Sequence, residues 1–224
     1  IIGAAHAAGV TAPEVLVGLQ PGDGIGSGFV MRALPGTPDP GLILAMDDPA
    51  RLLRDVARDL ARIHALPRAG LPGDVPELDY AEGIEGLAEQ FEEAGGDRPI
   101  IALGLRWLRE NMPDRVEPVL NHGDYRLGNL LAQDSQLTGV LDWELATIGH
   151  PLADLAYCCL PYHMPHGVNG VRGLDGLDLR ARGIPDEQSL LQRYCEGAGR
   201  DGINDWPVFL AFALFRSAAI LQGV

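Results

Sequence analysis

A histidine, an aspartate, an arginine and an asparagine fall within eight residues in the segment HGDYRLGN: His122, Asp124, Arg126 and Asn129. Thirteen residues past the asparagine stands Asp142, in VLDWE, after another apolar run. Phosphoryl transfer calls for such a set. One carboxylate orients an acceptor hydroxyl and takes its proton, while a second carboxylate and an amide oxygen hold magnesium on the phosphates. Magnesium favours hard oxygen ligands and keeps several waters, so one Asp and one Asn suffice beside nucleotide phosphates. On residue types alone, plainer readings stand beside this one. Asn129 and Asp142 are also good turn residues, Arg126 can be a surface partner of an acid, and the whole stretch can be a surface loop.

The elements around these residues decide whether they can meet. Short β-like runs at 119–120, 129–132 and 138–141 predict a loop feeding a small hairpin, which brings Asp124, Asn129 and Asp142 to one edge. Upstream, residues 1–8 read as the tail of a helix capped by Gly9. Residues 14–19 and 27–33 read as two strands, and the Pro/Gly-dense segment 34–41 as the boundary to the rest. Leu52, Leu53, Val56, Leu60 and Ile63 recur at helical spacing within 49–67, and further helices are predicted at 98–111, 152–160, 186–196 and 206–223. Residues 161–185 show no period and much glycine, and read as a long loop. The glycines at 22, 24, 26 and 28 suggest a phosphate loop, but a strand follows them where such a loop needs a helix N-terminus.

Bulk properties bound the rest. The chain has 224 residues and a formal net charge of −14, which argues against nucleic acid or an anionic membrane as main partner. All 17 basic residues are arginine, so a mechanism that needs a lysine from this chain is excluded. Three cysteines, two of them adjacent, fit reduced thiols in a cytoplasmic protein better than a disulfide framework. Residues 206–224 are the one apolar stretch long enough to consider for a membrane, and Arg216 near its centre costs roughly 2.5–3.5 kcal/mol on insertion scales, so a buried helix is expected. The chain opens on Ile1 and stops inside an apolar helical pattern, which predicts a piece of a longer protein.

HGDYRLGN followed by LDWE resembles the aminoglycoside phosphotransferase and choline kinase family, and the wording is nearest to the bacterial branch similar to the kinase-like domain attached to some acyl-CoA dehydrogenases. GFVMRALPG looks like that family's last N-lobe strand and hinge, and IGHPLADLAY like the segment after its metal aspartate. The resemblance implies an α+β, protein-kinase-like fold. Residues 1–34 would be an N-lobe remnant, the end of a helix with two strands and the hinge, and 35–224 the mainly α-helical C-lobe with the catalytic and metal loops. It implies an ATP- and magnesium-dependent kinase, with GTP also open as donor, acting on a hydroxyl of a small molecule. Asp124 would be the base, Asn129 and Asp142 the magnesium ligands, and His122 the brace of the loop. Arg126 would supply positive charge where protein kinases have a lysine, and Asp154 would hold the loop's backbone. Met31 would be the gatekeeper, and the backbone of Arg32 and Leu34 would meet the adenine.

The family's nucleotide-covering loop and its lysine–glutamate pair have no counterpart here. Either they lie upstream of Ile1 or, as an alternative function, the chain is a catalytically silent kinase-like binding domain. A further one is a metal-dependent phosphohydrolase built on His122, Asp124, His150 and Asp154. The acceptor pocket is expected among 80–112 and 161–185, and the acidic composition and the dehydrogenase-linked likeness point to a cationic and to a hydroxyacyl-type acceptor respectively.

Overall fold

The computed structural model describes residues 1–95, 98–113, 118–168 and 171–222. A short helix, α1 (Ile2–Ala7), ends just before Gly9, whose φ of +83° turns the chain. An antiparallel pair follows, β1 (Val15–Leu19) and β2 (Gly28–Met31). The glycine-rich connection between them makes one 3-10 turn, Pro21–Asp23, and then passes directly into strand, so no helix dipole stands behind those glycines. The segment 34–41 is less bare than expected, because Asp39 accepts hydrogen bonds from Gly41 and Leu42 and starts a one-turn helix, α2 (Pro40–Leu44).

The longest early helix, α3 (Pro49–His64), begins where Asp48 caps Arg51 N and Pro49 takes the first helical position, a cap worth about 1 kcal/mol. Its predicted stripe is buried, and His64 extends that stripe by one more position. Sequence reading missed α4 (Tyr80–Glu93). Its inner face of Tyr80, Ile84, Ala88 and Phe91 is thinly spaced among glutamates and glycines. The predicted α5 (Pro99–Asn111) follows.

Strand β3 (Val119–Asn121) leads through a loop to the hairpin β4 (Leu130–Gln133) and β5 (Gln136–Val140), turned by Asp134 and Ser135, both at positive φ, as a tight hairpin turn requires. Strand β6 (Thr147–Gly149) then pairs back with β3 rather than with its neighbour. This pairing encloses both loops of interest between two strands that are adjacent in space.

His150 caps α6 (Pro151–Cys159). The stretch expected as one long loop, 161–185, contains the end of a 3-10 turn, Leu160–His163, and a small strand pair, β7 (His166–Val168) and β8 (Val171–Arg172). Strands this short carry no readable period, which is why the sequence pattern passed over them. The chain closes with α7 (Glu187–Ala198) and α8 (Trp206–Gln222); the helix end expected at Gly223 lies outside the described residues. Helices α3 and α7 pack closely, and a Cβ on Gly197 would lie 3.0 Å from Ala61 Cβ. Helix α8 is apolar over most of its surface and packs against α4, α5 and α6, although Leu214, Ile220 and Leu221 stay exposed. No helix among the described residues is long and apolar enough to cross a membrane.

Candidate active site

The loop after β3 is held from three directions. Asp154, in the first turn of α6, is 2% exposed, and its carboxylate accepts His122 N at 2.5 Å and Gly123 N at 2.9 Å. Burial pushes its carboxyl up, but the neighbouring His64, His122 and the Gly123 N–H outweigh this and hold it below the usual value. Gly123 adopts φ +85°, and a Cβ there would stand 2.0 Å from the carbonyl oxygen of Leu145. Only glycine allows this close approach, which presses the loop against the segment after Asp142.

His122 ties the two loops together. It is fully buried, its Nε2 donates to Leu141 O at 2.9 Å, and its Nδ1 accepts from Asp124 N at 3.3 Å. These partners require the neutral ring with the proton on Nε2. Burial is the main reason its pKa is lowered, with Asp154, the bond to Leu141, Asp124 and Asp142 opposing. Leu141 is gripped at its other end too, its N–H donating to Asn129 O at 2.9 Å. Trp143 donates Nε1–H to Val140 O and packs its ring 4.7 Å from that of His122.

Asp142 leaves this clamp exposed and at φ +66°. A non-glycine residue in that region costs on the order of 1–3 kcal/mol and is tolerated where the surroundings over-determine it. Its carboxylate has no hydrogen-bond partner among the described residues. Across from it, both amide N–H groups of Asn129 go to Asp124, at 3.0 Å to the carbonyl and 2.5 Å to the carboxylate. Arg126 turns back on the same carboxylate, with Nε 3.1 and 3.2 Å from its two oxygens.

Of the residues singled out from sequence, His122, Asp124, Arg126, Asn129 and Asp142 thus form one constellation. Met31, Arg32 and Leu34 lie apart from it, at the end of β2. Arg32 N donates to Glu14 O at 2.9 Å. Leu34 lies against β5, where a Cβ on Gly139 would come within 2.8 Å of Leu34 Cδ1. Thr37 and Ala132 exchange backbone hydrogen bonds of 3.0 and 3.1 Å, so the segment after β2 is stitched to the hairpin. His150 is occupied elsewhere: its Nδ1 accepts Leu152 N, and its ring stacks on Phe209 at 4.3 Å. It is a helix cap, and among the described residues no three of His, Cys, Asp and Glu cluster as for a metal-only hydrolase centre.

A cleft of about 340 Å³ opens beside Arg126 and Gly128, walled by Leu44, Tyr157, Met164 and Ile220. Residues of the segment 80–112 do not line this cleft; Tyr80, Ala81, Ile84, Glu85, Arg109 and Met112 line a separate cleft of about 520 Å³. The lining of the cleft beside Arg126 carries no carboxylate, whereas the larger cleft includes Glu77, Asp79 and Glu85. Tyr157 was not singled out from sequence; burial, then the charge of Asp124, raises its pKa, and Arg216 lies 5.1 Å over its ring.

A partial β-lobe, a helical lobe and two cross-braced loops between them define a kinase-like phosphotransferase. The chain belongs to the phosphotransferase enzyme family, whose model matches residues 1–207. It is 34% identical to acyl-CoA dehydrogenase family member 10 of Mus musculus over 227 residues, 97% of this chain and 21% of that protein. The chain thus spans about a fifth of the length of the curated relatives it matches. A crystal structure from Ralstonia eutropha, provisionally described as an aminoglycoside phosphotransferase, is 31% identical, with a TM-score of 0.85 over 99% of this chain and 70% of that one. An aminoglycoside phosphotransferase from Streptomyces rimosus, solved in complex with ADP and streptomycin, shares the fold at 16% identity and a TM-score of 0.59, over 97% of this chain and 79% of that one.

Proposed function

We propose that this chain transfers the γ-phosphate of ATP, with magnesium, to a hydroxyl of a small molecule. The observation that carries the reading is the convergence of Asp124, Asn129 and Asp142 on one edge through the His122–Leu141–Asn129 clamp. Asp124 is the group that accepts the acceptor's proton. Its contacts with Asn129 and Arg126 keep its carboxylate oriented until substrate arrives. The donor set fits magnesium: an exposed carboxylate without a protein hydrogen-bond partner among the described residues, and an amide whose nitrogen is already engaged, so that its oxygen is the remaining ligand. Magnesium would supply charge neutralisation on the phosphates. Arg126, half exposed, swings from Asp124 to the transferring phosphate in this reading, a task its planar fork suits. The carbonyl of Arg32 and the N–H of Leu34 hold the adenine, with Met31 beside them.

The Streptomyces rimosus relative binds ADP and an aminoglycoside, which supports a nucleotide donor and an alcohol acceptor here. The cleft beside Arg126 favours an acceptor with an apolar body over a polycation, because no lining carboxylate would meet a cation. The dehydrogenase-linked relative favours the same choice through a hydroxyacyl-type compound. A silent binding domain, which would hold nucleotide without turning it over, is the second reading.

Calorimetric titration of Mg-ATP into the chain, with Asp142→Ala as control, tests the proposal. Magnesium-dependent binding that the substitution abolishes supports it. Binding of ATP without magnesium, unchanged in the variant, would remove Asp142 from the metal site and leave the binding-domain reading.

A further inference from the structure

Arg216 is the one charged side chain of α8, and the proposed reaction gives it no task. It is half-buried, and Phe212, Ala213 and Ala219, about one turn to either side on the same helix, are buried. A guanidinium drawn part-way out of water needs a partner. Among the described residues it forms no salt bridge, and its Cζ lies 5.1 Å over the ring of Tyr157 on α6. A cation–π contact of this kind orients the group but leaves its N–H donors unspent. The acids nearby are engaged elsewhere. Asp124, whose charge reaches Tyr157, is bonded to Asn129 and Arg126, and Asp154 is spent on the N–H groups of His122 and Gly123.

Tyr157 and Ser217, the residue after Arg216, both line the apolar cleft beside Arg126. The guanidinium of Arg216 therefore stands at the edge of that cleft, against one of its lining rings. With Arg126 in the lining, Arg216 at the edge and no lining carboxylate, the cleft is a patch of positive field in a chain of net charge −14. Its apolar walls strengthen that field by keeping water away.

We propose that Arg216 is the specificity-determining residue of this cleft: it takes the anionic group, carboxylate or phosphate, of an acceptor whose apolar body fills the cleft. The planar fork binds either oxyanion through paired N–H···O bonds, while the ring of Tyr157 backs it. A cationic acceptor would face two arginines and an apolar wall. A neutral one would enter and leave Arg216 unpaired. That the ligand is phosphorylated rests on the phosphotransferase reading; the preference for an anion does not.

Calorimetric titration without nucleotide or magnesium tests the proposal, with octanoate, octyl phosphate, octanol and octylamine as probes. At least one anion binds about tenfold or more tighter than octanol, and octylamine binds more weakly than octanol. The tighter of the two anions identifies the group. Arg216→Gln brings the anions to within about twofold of octanol and leaves octanol unchanged. Arg216→Lys, which keeps the charge and loses the fork, retains part of the preference and keeps the question decidable if the glutamine variant unfolds. Arg126→Gln keeps most of the preference, which separates this site from that of the transferring phosphate. Anions bound no tighter than octanol, no binding of any probe, a preference undiminished in whichever Arg216 variant folds, or one that vanishes with Arg126→Gln instead overturns the proposal. Absence of magnesium-dependent ATP binding by the same chain defeats the phosphotransferase reading, while the probe series still decides the role of Arg216.

Discussion

Two antiparallel strand pairs, β1–β2 near the start of the described chain and β3–β6 in its middle, are built differently. In β1–β2, Leu16, Val17, Phe29, Val30 and Met31 are between 42% and 51% exposed, and the pair has little beneath it. In β3–β6, Leu120 and Ile148 are buried, and the loop between the strands is fastened by Asp154, His122, Leu141 and Gly123. A lone two-stranded hairpin is marginal in water, and strand pairs gain stability from what they pack on. The constellation of side chains is therefore placed by a network that tolerates little, while the end that would meet the adenine is held chiefly by its seam to β4.

The difference can be broken most sharply at Gly123. Gly123→Ala puts a Cβ into the Leu145 carbonyl at a left-handed backbone position, and the expected loss is about 3 kcal/mol or more, read by chemical denaturation. A destabilisation under about 1 kcal/mol would mean that the two loops are not pressed together as described. Asp142→Gly should act in the opposite direction, stabilising the fold by about 1 kcal/mol through relief of the strained φ while removing magnesium-dependent ATP binding. If stability drops instead, Asp142 has a structural partner.

The next effect is a pH dependence. His122 has a lowered pKa in the fold, so as pH falls below about 6.5 the unfolded chain takes up a proton that the folded loop refuses. The share of stability due to the buried neutral ring is fully present above that pH and declines below it. His122→Asn should flatten this part of the profile, and an unchanged slope would show that the ring titrates freely in the fold. The smallest effect belongs to the other strand pair. Val17→Thr and Phe29→Ser should each change stability by no more than about 0.5 kcal/mol, and a larger loss would reveal packing on that hairpin.

Much of the site was legible beforehand because its residues are close in sequence and chemically distinctive. The Asp–Asn–Asp spacing, the hairpin between the loops and the stripe of α3 follow from local pattern. The role expected of Asp154 on the resemblance also appears in its two backbone hydrogen bonds. What stayed hidden depends on distant partners. His64 and Tyr194 are 130 positions apart and meet only when α3 lies on α7. Tyr157 looks like any residue of an apolar helix until the fold sets it beside Arg126. Helix α4 lacks a dense apolar period, and the cleft beside Arg126 is assembled from residues as far apart in sequence as Pro40 and Leu221.

The seam between Thr37 and Ala132 has one more consequence. It makes the segment after β2 a third ribbon on the hairpin, so the stretch from Ala132 back to Asn129 acts as a gauge between the two ends of the proposed nucleotide site. A strand advances roughly 3.3 Å per residue and turns its side chains over at each step. Insertion or deletion of a single residue in β4 would change the span and also reverse which face meets the loop. Length variation among relatives should accordingly be absent from this short ribbon and collect in the stretch after α6.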